Sequence, residues 1–240
     1  IIKDKMKYKV AIIGCGAIFD RHYESINKNK NFELVALCDV QKSIVDSLSS
    51  RHGVEGYYSF EDCIENSEAN FYVIATPNSK HYDQVKYCIE NNKHYLVEKP
   101  ACLKSKEVKD LISLTRKSKV EGYCVLQVRL NESVSLVREC LERNLLGKIR
   151  GVNLVQRWQR PVEYFSGWRS IPEIGGGTLH EVGIHYIDIL QNLFGRPEVS
   201  SSKVYNVKHI NTEIEDTIYA LLDFEEYGGT LEVTIAAEPL

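Results

Sequence analysis

The stretch GGGTLHEVGIHYIDIL, residues 175–190, sets two histidines and two acids on one helical pattern just after three glycines. Glu181, His185 and Asp188 fall at i, i+4 and i+7 and make a polar stripe. Leu179, Val182, Tyr186, Ile189, Leu190 and Leu193 make the apolar face beside it. A zinc helix places its histidines four apart, so that both lie on one face. His180 and His185 are five apart, about 140° around an ideal helix, so no metal site is expected. Thr178 and Glu181 also match a capping box, and Gly195 followed by Pro197 ends the pattern. Glu181 is therefore open to two readings, a helix cap or a group of the site. His185 lies one turn further in, beyond the reach of capping, and imidazole has the ordinary pKa for proton transfer near neutrality.

A second group sits in Val97-Glu98-Lys99-Pro100, at the end of an apolar run. Lys99 as a cation can stabilise a developing alkoxide, or act as a base if its pKa is lowered. The plainer reading is a solvated lysine at a strand end. Pro100 fixes the turn, with a cis bond as one option. Upstream, Gly14-Cys15-Gly16-Ala17-Ile18 separates an apolar run from a helical pattern. Such a turn lets backbone approach a pyrophosphate, which the free amides and positive end of the next helix hold. Asp39 ends the second apolar run. It suits the two hydroxyls of an adenosine ribose and repels a 2′-phosphate, which favours NAD over NADP. The third glycine position of the motif is Phe19, which either pushes its helix outward or points into the core and leaves the phosphate site intact. Thr76, Pro77, Asn78 and His81 leave another strand at the same edge; Asn78 and His81 either cap the next helix or touch the cofactor.

These groups need elements to hold them. Apolar runs at 8–13, 32–38, 70–75, 94–97 and 121–127, with a short one near 57, predict strands. Helical patterns at 17–27, 41–51, 79–91 and 104–119 alternate with them. That alternation means a parallel, doubly wound α/β sheet, which binds ligands at the carboxyl ends of its strands. Beyond it, strand-like runs lie at 148–157, 199–209, 214–224 and 229–236, with a hairpin connection at 225–229.

The motifs together resemble the Gfo/Idh/MocA family of oxidoreductases. The matching residues are Gly14-Cys15-Gly16-Ala17-Ile18 with His22, Asp39, Ala75-Thr76-Pro77-Asn78 with His81, Glu98-Lys99-Pro100, and residues 175–179 through Gly183, His185 and Asp188. The resemblance implies a Rossmann-type dinucleotide domain over 1–122. It also implies a substrate and oligomerisation domain over 123–240, of α/β type with an open, mainly antiparallel sheet, incomplete at its C-terminus. It implies oxidation or reduction of a sugar carbon with NAD, with Lys99 in the role of catalytic lysine and His185 facing it. Glu181 stands where many members have Asp or Asn, which leaves its role open. Gly14, Gly16, Ala17, Ile18, Asp39, Thr76, Pro77, Asn78, His81 and Glu98 become the cofactor-binding candidates. The segment with Arg157, Trp158, Arg160, Tyr164, Trp168 and Arg169, and the strand end with Arg129, are similar to relatives acting on nucleotide sugars, UDP-N-acetylglucosaminuronate 3-dehydrogenases among them. Arginine forks bind phosphate or carboxylate and aromatics stack on sugar or base, so Arg129, Arg160, Tyr164, Trp168 and Arg169 are the substrate candidates. An interdomain apolar patch is the alternative. Two other functions stay open on this fold: an NAD-dependent glycoside hydrolase that keeps its cofactor, and a non-catalytic NAD- or sugar-sensing regulator, for which loss of the lysine or histidine would be expected.

Composition narrows the classes further. The chain has 240 residues, 43% hydrophobic and 26% charged, which suits one large or two smaller globular domains. A net charge of −3 gives no field for nucleic acid or an anionic membrane. No apolar run is long enough to span a bilayer, and no signal-peptide pattern opens the chain. The seven cysteines are scattered without a C-x-x-C pair, so reduced thiols and a cytoplasmic address are expected. Met6 reads as a natural start, with residues 1–5 preceding it. A homodimer or homotetramer is the assembly the resemblance implies.

Overall fold

The computed structural model describes residues 7–238; the expected start at Met6 and the chain's last two residues lie outside them. They form two compact units, one ending at Val125 and one beginning at Leu126.

The first unit alternates strands and helices: β1 (Tyr8–Ile13), α1 (Phe19–Lys28), β2 (Phe32–Cys38), α2 (Lys42–His52), β3 (Glu55–Tyr57), α3 (Phe60–Asn66), β4 (Phe71–Ile74), α4 (His81–Glu90), β5 (His94–Val97), α5 (Ser105–Lys117) and β6 (Gly122–Cys124). The strands order as β3-β2-β1-β4-β5-β6, and every pairing is parallel. The apolar run of β1 feeds both faces of this sheet. Ala11 and Ile13 pack with Tyr72, Ile74 and Val85, while Val10 and Ile12 pack with Phe19, Leu37 and Val73. Alternate residues facing opposite helix layers is what a doubly covered strand requires. Each fully buried aliphatic side chain contributes about 1.5–3 kcal/mol. Chain order reverses between β1 and β4, which opens a crevice at their carboxyl ends. Phe19 settles into the core, 3% exposed and stacked on Tyr23, so the missing third glycine is filled by an inward ring.

The second unit contains α6 (Glu132–Glu142), β7 (Gly151–Arg157), a short α7 (Pro172–Gly175), a π-helical turn (Leu179–Gly183) running into α8 (Ile184–Phe194), β8 (Glu198–Tyr205), β9 (Thr217–Asp223) and β10 (Gly228–Thr234). Its sheet orders as β7-β10-β9-β8. Two of the pairings are antiparallel and β10 runs parallel to β7. Leu190 of α8 packs on one face, against Ile218, Ala220, Leu222, Leu231 and Val233. The other face leaves Val155, Tyr219 and Leu221 exposed.

Three elements depart from the sequence reading. The strand expected over 121–127 stops at Cys124, and Gln127–Leu130 is a 3₁₀ turn. Helices α3 and α6 arise where the sequence pattern predicts none. The start of α3 did carry a signal, since the Ser59 hydroxyl accepts from the Asp62 amide at 3.3 Å.

The loop from β8 to β9 is held by one buried carboxylate. Asp216 accepts from the amides of Val207, Lys208 and His209 at 2.7–3.1 Å and from the Thr217 hydroxyl at 2.9 Å. Burial pushes its pKa up, but those donors outweigh burial and hold it down at about 2. The ordinary carboxylate value is about 3.9. The contribution of Asp216 is thus fully present above roughly pH 4 and is lost as pH falls through about 2. Asp216→Asn is expected to cost about 1–3 kcal/mol at pH 6. In urea unfolding the gap between variant and wild type should narrow as pH drops below 4; a gap constant from pH 6 to 2 would contradict the clamp.

Candidate active site

The cofactor half is built at the carboxyl edge of the first sheet. Gly14 follows β1 with φ of 94°, and its N–H donates to the Cys38 carbonyl at 2.8 Å. A Cβ at Gly14 would stand 2.5 Å from the Ala75 carbonyl oxygen, so only glycine lets the end of β1 lie against the end of β4. Gly16 is different. It is exposed, and a Cβ there would meet nothing within 4 Å, which leaves open space above the first turn of α1. Ala17 and Ile18 complete that turn, Ala17 exposed and Ile18 half-buried. Asp39 closes the turn from β2. One carboxylate oxygen accepts from the Cys15 amide at 2.8 Å and the other from the Gln41 amide at 2.9 Å. These donors fix the carboxylate beside the glycine turn, and each oxygen keeps a lone pair for a diol. Space at Gly16, the start of α1 beside it and an acid at the end of β2 fit a dinucleotide.

Lys99 leaves β5 on the same edge, half-buried, and the Lys99–Pro100 peptide is cis. Histidines brace the turn from both sides. His22 of α1 meets Glu98 Oε1 at 2.9 Å, and the other Glu98 oxygen accepts from the Lys99 amide at 3.2 Å. Burial raises the Glu98 pKa, yet His22 and the Lys99 amide and charge outweigh it and the net shift is down. His81 is wholly buried, with ring nitrogens 2.7 Å from the Pro100 carbonyl and 2.9 Å from the Thr76 carbonyl. Burial lowers its pKa, against the two carbonyls, which favour the protonated ring. His81 therefore ties the Thr76 and Pro100 loops together and offers no edge to a ligand. Asn78 is also buried, at the start of a 3₁₀ turn. The Thr76 hydroxyl donates to Gln84 at 2.5 Å, and Pro77 stays half-exposed beside it.

In the second unit the glycines of residues 175–177 admit another chain segment. Gly177 has φ of 90°, and a Cβ there would stand 2.8 Å from both carboxylate oxygens of Glu215. Glu215 takes over the start of the helix: its carboxylate accepts from the Leu179 amide at 3.2 Å, and its carbonyl from the Thr178 hydroxyl at 2.5 Å. The capping box does not form. Thr178 already has helical backbone, φ −59° and ψ −36°, and no side-chain cap bond, whereas a capping residue must stand outside the helix. That removes the capping explanation for Glu181, which is buried with its carboxylate 3.5 Å from the Nε of Arg169. The helix opens with the π turn Leu179–Gly183, so the 3.6-residue spacing used for His180 and His185 does not hold there. His180 donates from Nδ1 to the Gly176 carbonyl at 2.6 Å, and among the described residues no group of three or more metal-ligating side chains occurs. His185 is 8% exposed in the first turn of α8.

The arginine segment assembles as a stack. Arg160 lies over Trp158 at 4.8 Å and over Tyr164 at 5.5 Å; Arg169 lies over Tyr164 at 5.5 Å and over Trp168 at 4.5 Å. Burial and the nearby Glu181 charge raise the Tyr164 pKa, while both arginines pull it down. The buried Nε of Arg160 has no hydrogen-bond partner among the described residues. Arg129 stands apart from this stack, in a two-pronged ion pair with Asp188 of α8. Sequence reasoning missed Glu215 and His209, whose partners Leu179 and Pro161 are distant along the chain, and Asp216, whose amide donors lie in a loop without apolar periodicity; His22 was visible only through the motif.

Comparison with known proteins agrees with this architecture. Residues 8–126 match the model of the oxidoreductase family with an NAD-binding Rossmann fold, and residues 134–239 match the Gfo/Idh/MocA C-terminal domain. The chain belongs to the Gfo/Idh/MocA oxidoreductase family, and its first unit is an NAD-binding Rossmann domain. It is 31% identical over 195 residues to Oxidoreductase P35 of Formosa agariphila, covering 78% of this chain and 60% of that protein. It is 24% identical to the D-glucoside 3-dehydrogenase of Escherichia coli, covering 93% of this chain and 68% of that one. The WlbA dehydrogenase of Bordetella pertussis, solved with NADH and UDP-GlcNAcA, superposes with a TM-score of 0.92 at 27% identity, covering 97% of this chain and 74% of the other.

The two glycines of the cofactor turn separate folding from binding space. Gly14→Ala is expected to lower unfolding stability by about 2–4 kcal/mol, through a backbone collision in a left-handed conformation. Gly16→Ala should leave the unfolding midpoint unchanged. Equal midpoints for both variants would show that the Ala75 contact is not a constraint.

Proposed function

We propose that this protein is an NAD-dependent dehydrogenase that transfers hydride between a sugar-like carbinol and nicotinamide. The observation that carries the reading is Lys99, set at the carboxyl end of β5 on the edge that also holds the glycine turn and Asp39. Gly14, Gly16, Ala17 and Ile18 would receive the pyrophosphate, and Asp39 the adenosine ribose hydroxyls, in preference to a 2′-phosphate. Glu98 and the loop of Thr76, Pro77 and Asn78 would line the nicotinamide half. Bound NAD supplies the hydride acceptor.

Lys99 and His185 are the proposed groups at the reacting oxygen. His185 takes the hydroxyl proton during oxidation and returns it during reduction. The Lys99 ammonium hydrogen-bonds the same oxygen and stabilises its negative charge as it develops. Glu181 holds the Arg169 side of the site, which supports a positioning part for it. For the substrate, the arginine and aromatic stack supports a nucleotide sugar. A diphosphate or carboxylate would satisfy the orphaned Nε of Arg160, and the aromatic faces suit a base or a sugar ring. The likeness to WlbA, solved with UDP-GlcNAcA, supports the same class. Arg129, committed to Asp188, has a weaker claim to the substrate. Buried thiols at Cys15, Cys38, Cys63, Cys88 and Cys102 favour a reducing, cytoplasmic setting.

Denaturing the purified protein and analysing the released small molecules by mass spectrometry should yield NAD(H) and not NADP(H). Lys99→Ala and His185→Ala should release it too, while turnover of UDP-GlcNAcA falls by about 10²–10⁴. Full activity in either variant would overturn the assignment. A second copy of the chain is the proposed occupant of the exposed sheet face with Val155, Tyr219 and Leu221. Sedimentation should therefore show at least twice the 27.4 kDa chain mass; a monomer at micromolar concentration would exclude it.

A further inference from the structure

The loop from β8 to β9 touches both functional segments of the second unit. At one end Glu215 holds the start of the helix that carries His185. At the other, His209 reaches the arginine segment. The ring of His209 is wholly buried, 5.2 Å from the Phe165 ring and edge-on to it. Its Nε2 lies 3.1 Å from the Pro161 carbonyl oxygen, and its Nδ1 lies 3.2 Å from Asp216 Oδ2. A carbonyl oxygen only accepts, so the bond to Pro161 is made by an N–H at Nε2. Asp216 is itself pinned by three amides and a hydroxyl, so the imidazole cannot turn without breaking the loop.

Pro161 is the residue between Arg160 and the turn that presents Tyr164. Its carbonyl also accepts from the Tyr164 amide at 3.0 Å, and the Arg160 amide donates to the Ile235 carbonyl at 2.9 Å. The Arg160 backbone is therefore anchored to the chain just after β10, while the far side of the turn depends on the Pro161 carbonyl. We propose that His209 is a positioning residue: by donating to the Pro161 carbonyl it keeps Tyr164 between Arg160 and Arg169, and so holds the arginine pair at the spacing that receives the anionic part of the substrate. The substrate half of this inference rests on the nucleotide-sugar reading above.

The experiment separates the two. The protein has two tryptophans, Trp158 and Trp168, and both stack on these arginines, so tryptophan emission reports the segment without any substrate. His209→Asn keeps a donor near Asp216 but falls short of Pro161. His209→Gln reaches Pro161 with its amide. Thermal unfolding of both variants is followed alongside. In the Asn variant, acrylamide quenching of tryptophan should rise, and KM for UDP-GlcNAcA should rise about tenfold with kcat within about twofold. The Gln variant should restore both towards wild type. Wild-type quenching and KM in the Asn variant would overturn the proposal. So would equal loosening in both variants, which would mean that ring packing on Phe165 matters and not the Pro161 bond. Raised quenching with unchanged KM would also overturn it. If wild-type protein fails to turn over UDP-GlcNAcA, the nucleotide-sugar reading falls, and quenching in the Asn and Gln variants still decides whether His209 positions the stack.

Discussion

No side chain fits at position 14. That single exclusion lets the end of β1 lie against the Ala75 carbonyl, and the rest of the cofactor edge follows from it. With β1 and β4 in register, the sheet reverses order between them and opens its crevice there. The Cys15 amide then faces the Asp39 carboxylate, and the β4 loop comes close enough for His81 to bridge it to Pro100. Lys99 is fixed from two directions by histidines that need not touch a ligand. A lysine on a solvated strand end would lose much of its placement to side-chain entropy; here Glu98 on one side and Pro100 on the other hold the backbone from which it projects.

The second unit solves its positioning with two neighbouring acids. Glu215 and Asp216 are adjacent in sequence and serve different segments. One accepts from the first helical amide at Leu179, where the orphan donors and positive end of the helix favour a carboxylate. The other gathers the amides of 207–209 and the ring of His209. Buried carboxylates are costly unless fully bonded, and Asp216 meets that condition with backbone donors and a neighbouring hydroxyl. The β8–β9 loop is therefore a strut between the His185 helix and the arginine segment.

Much of the first unit was legible because parallel strands are buried on both faces and read as continuous apolar runs. The motifs at 14–16, 39, 75–78 and 97–100 sit where those runs end, and the structure gathers them along the carboxyl edge of one sheet. The helices α3 and α6 were not legible from apolar periodicity, since α3 is only seven residues long and α6 buries little beyond Val134. In the second unit the strands were readable to within a few residues, but the partners were not. Glu215 lies 36 residues from Leu179, and His209 lies 48 from Pro161. No local pattern announces such contacts, because the sheet connection alone decides which loop arrives.

The helix at 175–190 shows why spacing arguments need the local geometry. A period of 3.6 residues sets Glu181, His185 and Asp188 on one stripe and parts His180 from His185 by about 140°. The π turn inserts an extra residue per turn at the point where those distances are counted, which undoes the angular argument. His180 is spent on the Gly176 carbonyl, Asp188 on Arg129, and Glu181 faces Arg169. His180, Glu181 and Asp188 thus bond within the second unit. His185, buried in the first turn of α8, is the imidazole this helix brings to the proposed proton transfer, and the Glu215 carboxylate at the Leu179 amide keeps the start of that helix in place.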